Sequence, residues 1–332
     1  MPLPGSSDLH INAPLTNVSV AYLQSSDAYI ATKIFPKLPV QKRSDVFWKY
    51  SKSDWRRTDA KKRAPGTESA GVGWNYQTDN YFAEVYAVHK DIEDQVRANA
   101  DSNFNLDSDA TRFVTTQLLL RRDLDWADTF FKTGVWGTEY TGVGATPATG
   151  QFLQWDLAAS DPLSDETTWA LDFRRLTGYD LSFMVLGAEV WAALKNHPAI
   201  LDRIKFTQRG VVTKELVASF FDVPRLEICY ATQATGAQIN DAAAQDAGAD
   251  YDFIVNPKGA LLGYAPPSPS LLTPSAGYTF TWKGYAAGNS EGLKIKQFRM
   301  EHLGSDRIEG EMTYDQKVVS TDCGVFLNDV VS

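Results

Sequence analysis

Residues 107–132, DSDATRFVTTQLLLRRDLDWADTFFK, are the stretch that decides the fold of this chain. Apolar residues recur in it at steps of three and four, which is the period of a helix and not that of a strand. The predicted apolar stripe consists of Leu106, Ala110, Phe113, Leu120, Leu124, Ala127 and Phe131, interrupted by Gln117. At about 1.5 Å per residue the helix would span roughly 39 Å, so we expect it to cross a whole domain.

The ends and the second face of this helix are also marked in the sequence. Asp107 or Ser108 can cap its first turn, and Gly134 is placed to end it. The opposite face is polar, which predicts contact with water or with a partner subunit. Its residues are Asp109, Arg112, Thr116, Arg121, Arg122 and Asp123. One long surface helix of an ordinary globular protein is the alternative at this point.

The composition is that of an ordinary folded protein. Of the 332 residues, 43% are apolar and 22% are charged, which is enough to bury a core in one or two domains. No apolar run is long enough to span a membrane, and the first residues lack the features of a signal peptide, so we expect a protein that stays in the cytosol where it is made. The net charge of −9 argues against a dedicated nucleic-acid binder, which needs a basic surplus.

Charge is unevenly distributed near the start of the chain. Residues 42–63 hold nine Lys and Arg against three acidic residues, whereas residues 64–110 hold nine acidic residues against two basic ones. Neighbouring segments of opposite sign favour contacts between copies of the chain or between its own segments. Two separate solvated faces would explain the charges equally well.

Residues 45–50 and 81–90 have the composition of strands, rich in Val, Tyr and Phe. The 30 residues between them are basic, glycine-rich and poor in aliphatic side chains, so they cannot form a core of their own. We therefore predict a two-stranded arm with a long basic tip. Residues expected to contact neighbouring subunits are Trp55, Arg56, Arg57, Lys61, Lys62, Arg63 and Trp74, together with Phe35, Arg121 and Arg122. Single-stranded nucleic acid is the alternative partner of this basic, tryptophan-containing tip.

The remaining segments differ in texture. Residues 1–33 predict an extended or partly helical arm, and residues 34–40, with two prolines, an extended path that docks on a neighbour or on its own core. Residues 134–152 predict a flexible loop. Residues 165–265 alternate between helical and strand patterns, and residues 266–332 are rich in strands and lead the chain back to the core.

No catalytic motif is present. The sequence contains no GxSxG, Walker A, HExxH or dinucleotide-binding pattern, and its four histidines share no metal-ligand spacing. We therefore predict no catalytic residue, no metal and no cofactor. Cys229 and Cys323 are expected to be reduced, structural thiols, and His197 a helix-terminating residue whose partial positive charge is favoured there. A cytosolic hydrolase with a carboxylate pair such as Asp91 and Asp94 is the alternative of another class.

The order of these parts resembles the major capsid proteins of tailed bacteriophages, whose fold is named after phage Hong Kong 97. Similar stretches are RAPGTESAGVGWNY at 63–76, VRANADSNFNLDSDATRFVTTQLLLRRDLDWA at 96–127 and VLGAEVWAALKNHPAILDRIKFTQRGVVTKELVASFF at 185–221. The resemblance implies an α+β fold. Its parts would be an N-arm (1–44), an E-loop hairpin (45–90), a P-domain (91–164) with a spine helix at 107–132, an α/β A-domain (165–265), and a β-rich return to the P-domain with a C-terminal core strand (266–332).

The resemblance also implies a function. The chain would be a structural, non-enzymatic protein of the virion, made in the cytoplasm of a bacterial host. Many copies would assemble as hexamers and pentamers into an icosahedral shell around double-stranded DNA, which the acidic chain would contact only weakly. Scaffolding, portal and decoration proteins would be further partners. An encapsulin-like shell around a cargo enzyme is the alternative within the same fold.

Overall fold

The computed structural model describes residues 28–100, 105–205, 212–235, 251–269, 273–286 and 291–332. Most of the predicted N-terminal arm at 1–33 lies outside these residues. The described part forms two sheets, of five and six strands, with the long helix against them. Two small two-stranded sheets complete it.

The long helix predicted at 107–132 is confirmed as α4, Leu106–Phe130. Its N-cap is Asn105, whose side-chain oxygen accepts a hydrogen bond from Ser108 N at 3.1 Å, so the predicted caps at Asp107 and Ser108 are wrong. The helix ends before Gly134, because the chain turns back after Phe130. There the indole Nε1 of Trp136 donates to the carbonyl of Phe130 at 2.8 Å and satisfies a group that the helix leaves open.

The buried side of α4 differs from the predicted stripe. It follows a row at steps of four, and Phe113 of the predicted stripe is 49% exposed. The row consists of Ala110, Val114, Leu118, Arg122, Trp126 and Phe130. Arg122 and Asp123, which we predicted on the outer face, are 3% and 2% exposed. Polar residues can be buried there because distant parts of the chain supply their partners.

The five-stranded sheet lies under α4 and is centred on β14, Ser305–Val318. The other strands are β1 (Lys37–Val40), β4 (Glu84–Glu93), β12 (Gly277–Trp282) and β13 (Leu293–Met300). All pairs with β14 are antiparallel, and β1 adds parallel to β12. Gly310 of β14 lets α4 approach, since a Cβ there would meet Val114 and lie 2.9 Å from Leu118 Cδ1.

The six-stranded sheet has the order β6-β5-β15-β11-β7-β8. Its strands are β5 (Thr138–Val143), β6 (Gln151–Leu153), β7 (Phe183–Gly187), β8 (Leu226–Cys229), β11 (Ala260–Gly263) and β15 (Gly324–Asn328). Its helices are α5 (Pro162–Thr177), α6 (Ala188–Asn196), α7 (Pro198–Ile204) and α8 (Lys214–Phe220). The flexible loop predicted at 134–152 is wrong, because β5 lies in it and pairs with β15 and with β6, which begins at Gln151.

Both faces of the six-stranded sheet are covered. In β7, Met184 and Leu186 belong to the cluster shared with α5 to α8, whereas Phe183 and Val185 belong to the cluster that holds the end of α4. A strand buried on both faces reads as a continuous apolar run, which is why FMVLG was recognisable in the sequence. Residues 232–234 (β9) and 251–253 (β10) form a small antiparallel sheet of their own.

The run predicted as one strand at 81–90 belongs to two sheets. β2 (Ser44–Tyr50) and β3 (Tyr76–Phe82) form a two-stranded antiparallel ribbon, whereas β4 begins at Glu84 and pairs with β14. Ala83 lies between them, is fully buried, and donates from its backbone N to the carbonyl of Arg43 at 2.8 Å. The predicted hairpin therefore ends before residue 90. Short helices α1 (Ala31–Ile34), α2 (Lys52–Arg56) and α3 (Asp94–Asn99) complete the set used below.

Candidate assembly surface

The inner face of the ribbon, the two strands β2 and β3, is fixed to its own subunit. Side chains alternate between its faces, and the rings of Phe47 and Tyr81 lie 5.5 and 4.6 Å from the ring of Phe280 in β12. Asp79 pairs with Lys49 at 2.6 Å and with Lys317 of β14 at 3.0 Å. The base of the ribbon is therefore held on the five-stranded sheet by aromatic and charged contacts.

The outer face of the ribbon and its tip, residues 51–75, carry a row of exposed aromatic side chains. We call this row the aromatic strip; it consists of Trp48, Tyr50, Trp55, Trp74 and Tyr76, each between 43% and 61% exposed. The ring centroids of Trp48 and Tyr76 lie 4.6 Å apart, those of Tyr50 and Trp55 6.0 Å, and those of Trp55 and Trp74 6.4 Å. A contiguous exposed apolar patch of this kind marks an interaction surface.

The predicted basic residues of the tip differ in their surroundings. Arg56 donates to the carbonyls of Leu176 and Arg175, at 2.5 and 2.9 Å, at the end of α5 of its own subunit. Arg57 pairs with Asp59 at 2.9 Å and Arg63 donates to the carbonyl of Thr67, both within the tip. Lys61 and Lys62 are exposed. In the single subunit, the Arg56 contact is thus internal.

Three predicted contact residues lie elsewhere in the subunit. Phe35 is 2% exposed and its ring lies 4.4 Å from that of Phe130, so it is a core residue. Arg122 is also buried, and its guanidinium reaches Glu291 at 3.7 Å. Arg121 does lie on the outer side of α4, where it pairs with Asp125 at 2.6 Å.

Sequence reasoning missed part of the strip. Val46, Trp48 and Tyr50 were recognised as strand residues but not as an exposed apolar face. Their spacing of two along β2 was the available signal, because it places all three on one face. A face of this composition looks like a core face in the sequence, and only the fold shows that nothing in the described subunit covers it.

The carboxylate pair Asp91 and Asp94, considered as an acid/base couple, is bound by arginines instead. Arg307 bonds Asp91 at 2.7 and 2.8 Å, and Arg299 bonds Asp94 at 2.6 Å. These hydrogen bonds lower the pKa of both carboxyl groups, which keeps them ionised and unsuited to accept a proton near neutral pH.

His197 is a buried structural residue. Its Nδ1 accepts from Ala199 N at 3.1 Å, and its Nε2 lies 3.0 Å from Ser160 Oγ. Burial lowers the pKa of this imidazole, so the predicted partial positive charge is wrong. The Ser160 hydroxyl donates to the carbonyl of Leu157 at 2.7 Å, so both His197 and Ser160 are hydrogen-bonded to nearby groups of the same subunit.

The described residues offer neither a metal site nor a membrane-spanning helix. Across the described residues, no cluster of three or more His, Cys, Asp or Glu side chains could hold a metal ion. No helix within the same ranges has the length and apolar character needed to cross a membrane. Cys229 and Cys323 are both buried free thiols, as predicted.

Known proteins with similar sequences and structures are phage capsid proteins and their relatives. No family model matches the chain. The major capsid protein of Burkholderia phage BcepMu is 25% identical over 290 residues, which cover 84% of this chain and 86% of that protein. The mature capsid of bacteriophage PhiM1 matches with a TM-score of 0.60 at 13% identity, covering 97% of this chain and 92% of that one. An encapsulin complex from Synechococcus elongatus PCC 7942 matches with a TM-score of 0.56 at 9% identity, covering 100% and 98%.

These likenesses confirm two predictions. The chain has the Hong Kong 97-type α+β fold, and its resemblance to phage major capsid proteins extends to curated relatives. A structural role is what such relatives suggest.

Proposed function

We propose that this chain is the major capsid protein of a tailed phage, whose copies assemble as hexamers and pentamers into an icosahedral shell around double-stranded DNA. The observation that carries the proposal is the aromatic strip, which the described part of the subunit leaves exposed. Five aromatic side chains are exposed side by side, whereas other aromatic residues of the same subunit are buried in its two largest apolar clusters.

The physical argument is that the strip is a surface which the fold leaves for another molecule. An aromatic side chain buries roughly 150 to 250 Å² when it is fully enclosed. Because each of these five is between 43% and 61% exposed, about half of that area is still open, and the strip can provide part of a standard interface. A second copy of the same chain is the simplest partner, because every copy carries the same strip and the same complementary surface. The exposed Lys61 and Lys62 beside it would add electrostatic attraction to an acidic neighbour.

A shell of this kind would have further partners and would place the protein in the virion. Packaged DNA would touch an inner wall of net negative chain charge only weakly. Portal, scaffolding and decoration proteins would contact the shell, and the mature site of the protein would be the virion after synthesis in the host cytoplasm.

The test is electron microscopy and light scattering of the purified full-length protein. We expect closed particles of megadalton mass. A stable species between monomer and tetramer under all assembly conditions would contradict the proposal. Trp48→Ala combined with Trp74→Ala should abolish particles, whereas Leu171→Ala, an equally exposed apolar residue on α5, should leave them intact.

A second candidate is an encapsulin-like compartment, which the likeness to an encapsulin complex favours. It would form the same kind of shell but enclose a cargo protein. Nucleic-acid and protein analysis of particles purified from their natural source separates the two: genome-length DNA supports the phage shell, and a second protein without DNA supports the compartment.

A further inference from the structure

The tip of the ribbon is fastened to the body of its own subunit by two side chains. Arg56 donates to the carbonyls of Leu176 and Arg175 at 2.5 and 2.9 Å, and Lys52 pairs with Asp322 at 2.6 Å. Within the described ranges, every other hydrogen bond or ion pair of the tip joins two residues of the tip itself. We call these two contacts the tip latch.

The acceptors of Arg56 lie at the C-terminal end of α5. The last carbonyls of a helix have no partner within it, and the helix dipole makes that end negative, so a guanidinium is favoured there. α5 ends at Gly178, which has a φ of 82° and donates from its backbone N to the carbonyl of Arg174 at 2.8 Å. The carbonyls of Arg175 and Leu176 come next, and Arg56 satisfies both. The helix end therefore provides a defined acceptor site for this arginine.

The two contacts of the latch lie close together on the body of the subunit. Lys52 and Arg56 are four residues apart in α2 and therefore point to the same side of that helical turn. Their partners belong to α5 and to the short turn Thr321–Cys323 before β15, and these two elements pack against each other. The base of the ribbon rests on the five-stranded sheet, so the latch adds a second support on the six-stranded part.

The closed latch leaves the aromatic strip uncovered. Trp55, the residue before Arg56, is 59% exposed while the latch is formed, and its ring lies 6.0 Å from that of Tyr50 and 6.4 Å from that of Trp74. The latch therefore does not compete with a partner for the strip. It fixes the piece of chain that carries the middle of the strip. A surface that is already ordered in its binding conformation binds more tightly, because less conformational freedom is lost on association.

We propose that Arg56 and Lys52 are positioning residues, which hold the tip so that the aromatic strip is presented in one orientation to the next copy of the chain. This inference deepens the proposed function and rests on it for the identity of the partner. Without the latch, the tip would pivot about the base of the ribbon, and the strip would have to be ordered each time a copy is added. Assembly would then be slower although no residue of the strip has changed.

Distances between two spin labels on the dispersed full-length subunit test the latch itself. Thr58→Cys in the tip and Leu171→Cys on α5 place the labels at exposed positions, whereas the two native cysteines are buried. We expect one narrow distance distribution. Lys52→Asp places two carboxylates opposite each other and should broaden the distribution. Lys52→Asp combined with Asp322→Lys restores the pair with its signs exchanged, so the distribution should be narrow again.

Variants of Arg56 test the second contact independently. Arg56→Ala should broaden the distribution, whereas Arg56→Lys keeps a cation at the helix end and should restore most of the narrow peak. Arg63→Ala is the matched control, because it removes the same charge from the tip but breaks only a contact to Thr67 within the tip. Its distribution should stay narrow. The Arg56 series decides even if the double reversal does not fold.

Light scattering of the unlabelled proteins measures the consequence for assembly. Lys52→Asp and Arg56→Ala should assemble roughly three- to tenfold more slowly than the wild type. The double reversal with Asp322→Lys should regain the wild-type rate, which a lysine that contacted the neighbouring copy would not allow.

Three outcomes overturn the proposal. They are a narrow distance distribution in every variant, a folded double reversal that stays broad, and assembly at the wild-type rate by variants whose tip is detached. The label distances are measured before assembly, so they separate this inference from the proposed function. A wild-type chain that shows the latch but forms no shells would contradict the proposed function and leave the latch in place.

Discussion

The six-stranded sheet and the ribbon use the same kinds of side chain in opposite ways. Every residue of β7 and β11 is buried between two layers, whereas most residues of β2 are exposed although they include Val, Trp and Tyr. The sheet is covered on both sides in β7 and β11, whereas the outer face of the ribbon is not covered by any described residue. Apolar composition alone therefore does not tell whether the same chain covers a face, and only the fold does.

The largest difference should come from removing the tip. Deleting residues 55–75 takes away Trp55 and Trp74 but leaves β2, β3 and the two cores in place. We expect soluble, folded subunit by circular dichroism and complete loss of shells by electron microscopy. Normal shells from this deletion would show that the tip of the ribbon is not needed for assembly.

The core of the α/β part should be far more sensitive to truncation than the ribbon. Trp155 is fully buried beside Trp169 and Phe221, with ring centroids 6.1 and 6.2 Å away. Trp155→Ala should lower the free energy of unfolding by about 3–5 kcal/mol. Trp48→Ala should lower that of the dispersed subunit by less than about 1 kcal/mol. Urea unfolding of both variants measures this, and equal losses would refute the comparison.

The contact between α4 and its sheet should show an intermediate effect. A methyl group at Gly310 would collide with Val114 and Leu118, so Gly310→Ala should cost about 1–3 kcal/mol by overpacking. Gly144→Ala is a matched control, because its Cβ would meet only the end of the Gln154 side chain at 3.5 Å. Thermal unfolding of the two variants should separate them, with Gly310→Ala clearly lower.

The smallest effect is the loss of stability at low pH when Asp79, at the base of the ribbon, is protonated. Burial acts to raise the pKa of Asp79, but hydrogen bonds from Lys49 and Lys317 outweigh it and lower the pKa to about 2. Because the folded pKa lies below the unfolded one of about 3.9, the stabilisation is present above pH 4 and is lost as the pH falls towards 2. Asp79→Asn should remove this loss, which we expect to be about 1 kcal/mol or less, in melting curves between pH 2 and 5. A wild-type curve that matches the variant at every pH would contradict it.

Local patterns predicted much of the fold. The long helix, the alternating block and the strands of the β-rich return each have a period that can be read from the sequence. β5 and β6 were missed because TEYTGV and QFL are short and weakly apolar, and because β15, the partner of β5, comes from the far end of the chain. Their strand character follows from that partner rather than from their own composition.

The exposed aromatic strip was recognised only in part, for a related reason. Trp55 and Trp74 were found because they lie in a segment that cannot form a core. Trp48 lies in a regular strand and was not found as a surface residue. Arg122 and Asp123 were misplaced because charge alone suggested solvent, whereas Arg122 pairs with Glu291 at 3.7 Å and Asp123 accepts from the backbone of Ile30 and Ala31. Burial of a charge depends on partners that sequence periodicity does not reveal.

Ala83 is the single residue between β3 and β4, so one continuous run of the chain contributes strands to two sheets. The ribbon ends at Phe82, whose N donates to Asp315 of β14 at 2.8 Å, and β4 begins at Glu84, after Ala83, beside that same strand. Because Phe82 and Glu84 both contact β14, a displacement of the base of the ribbon would be transmitted to β14 and to the helix α4 that packs on it.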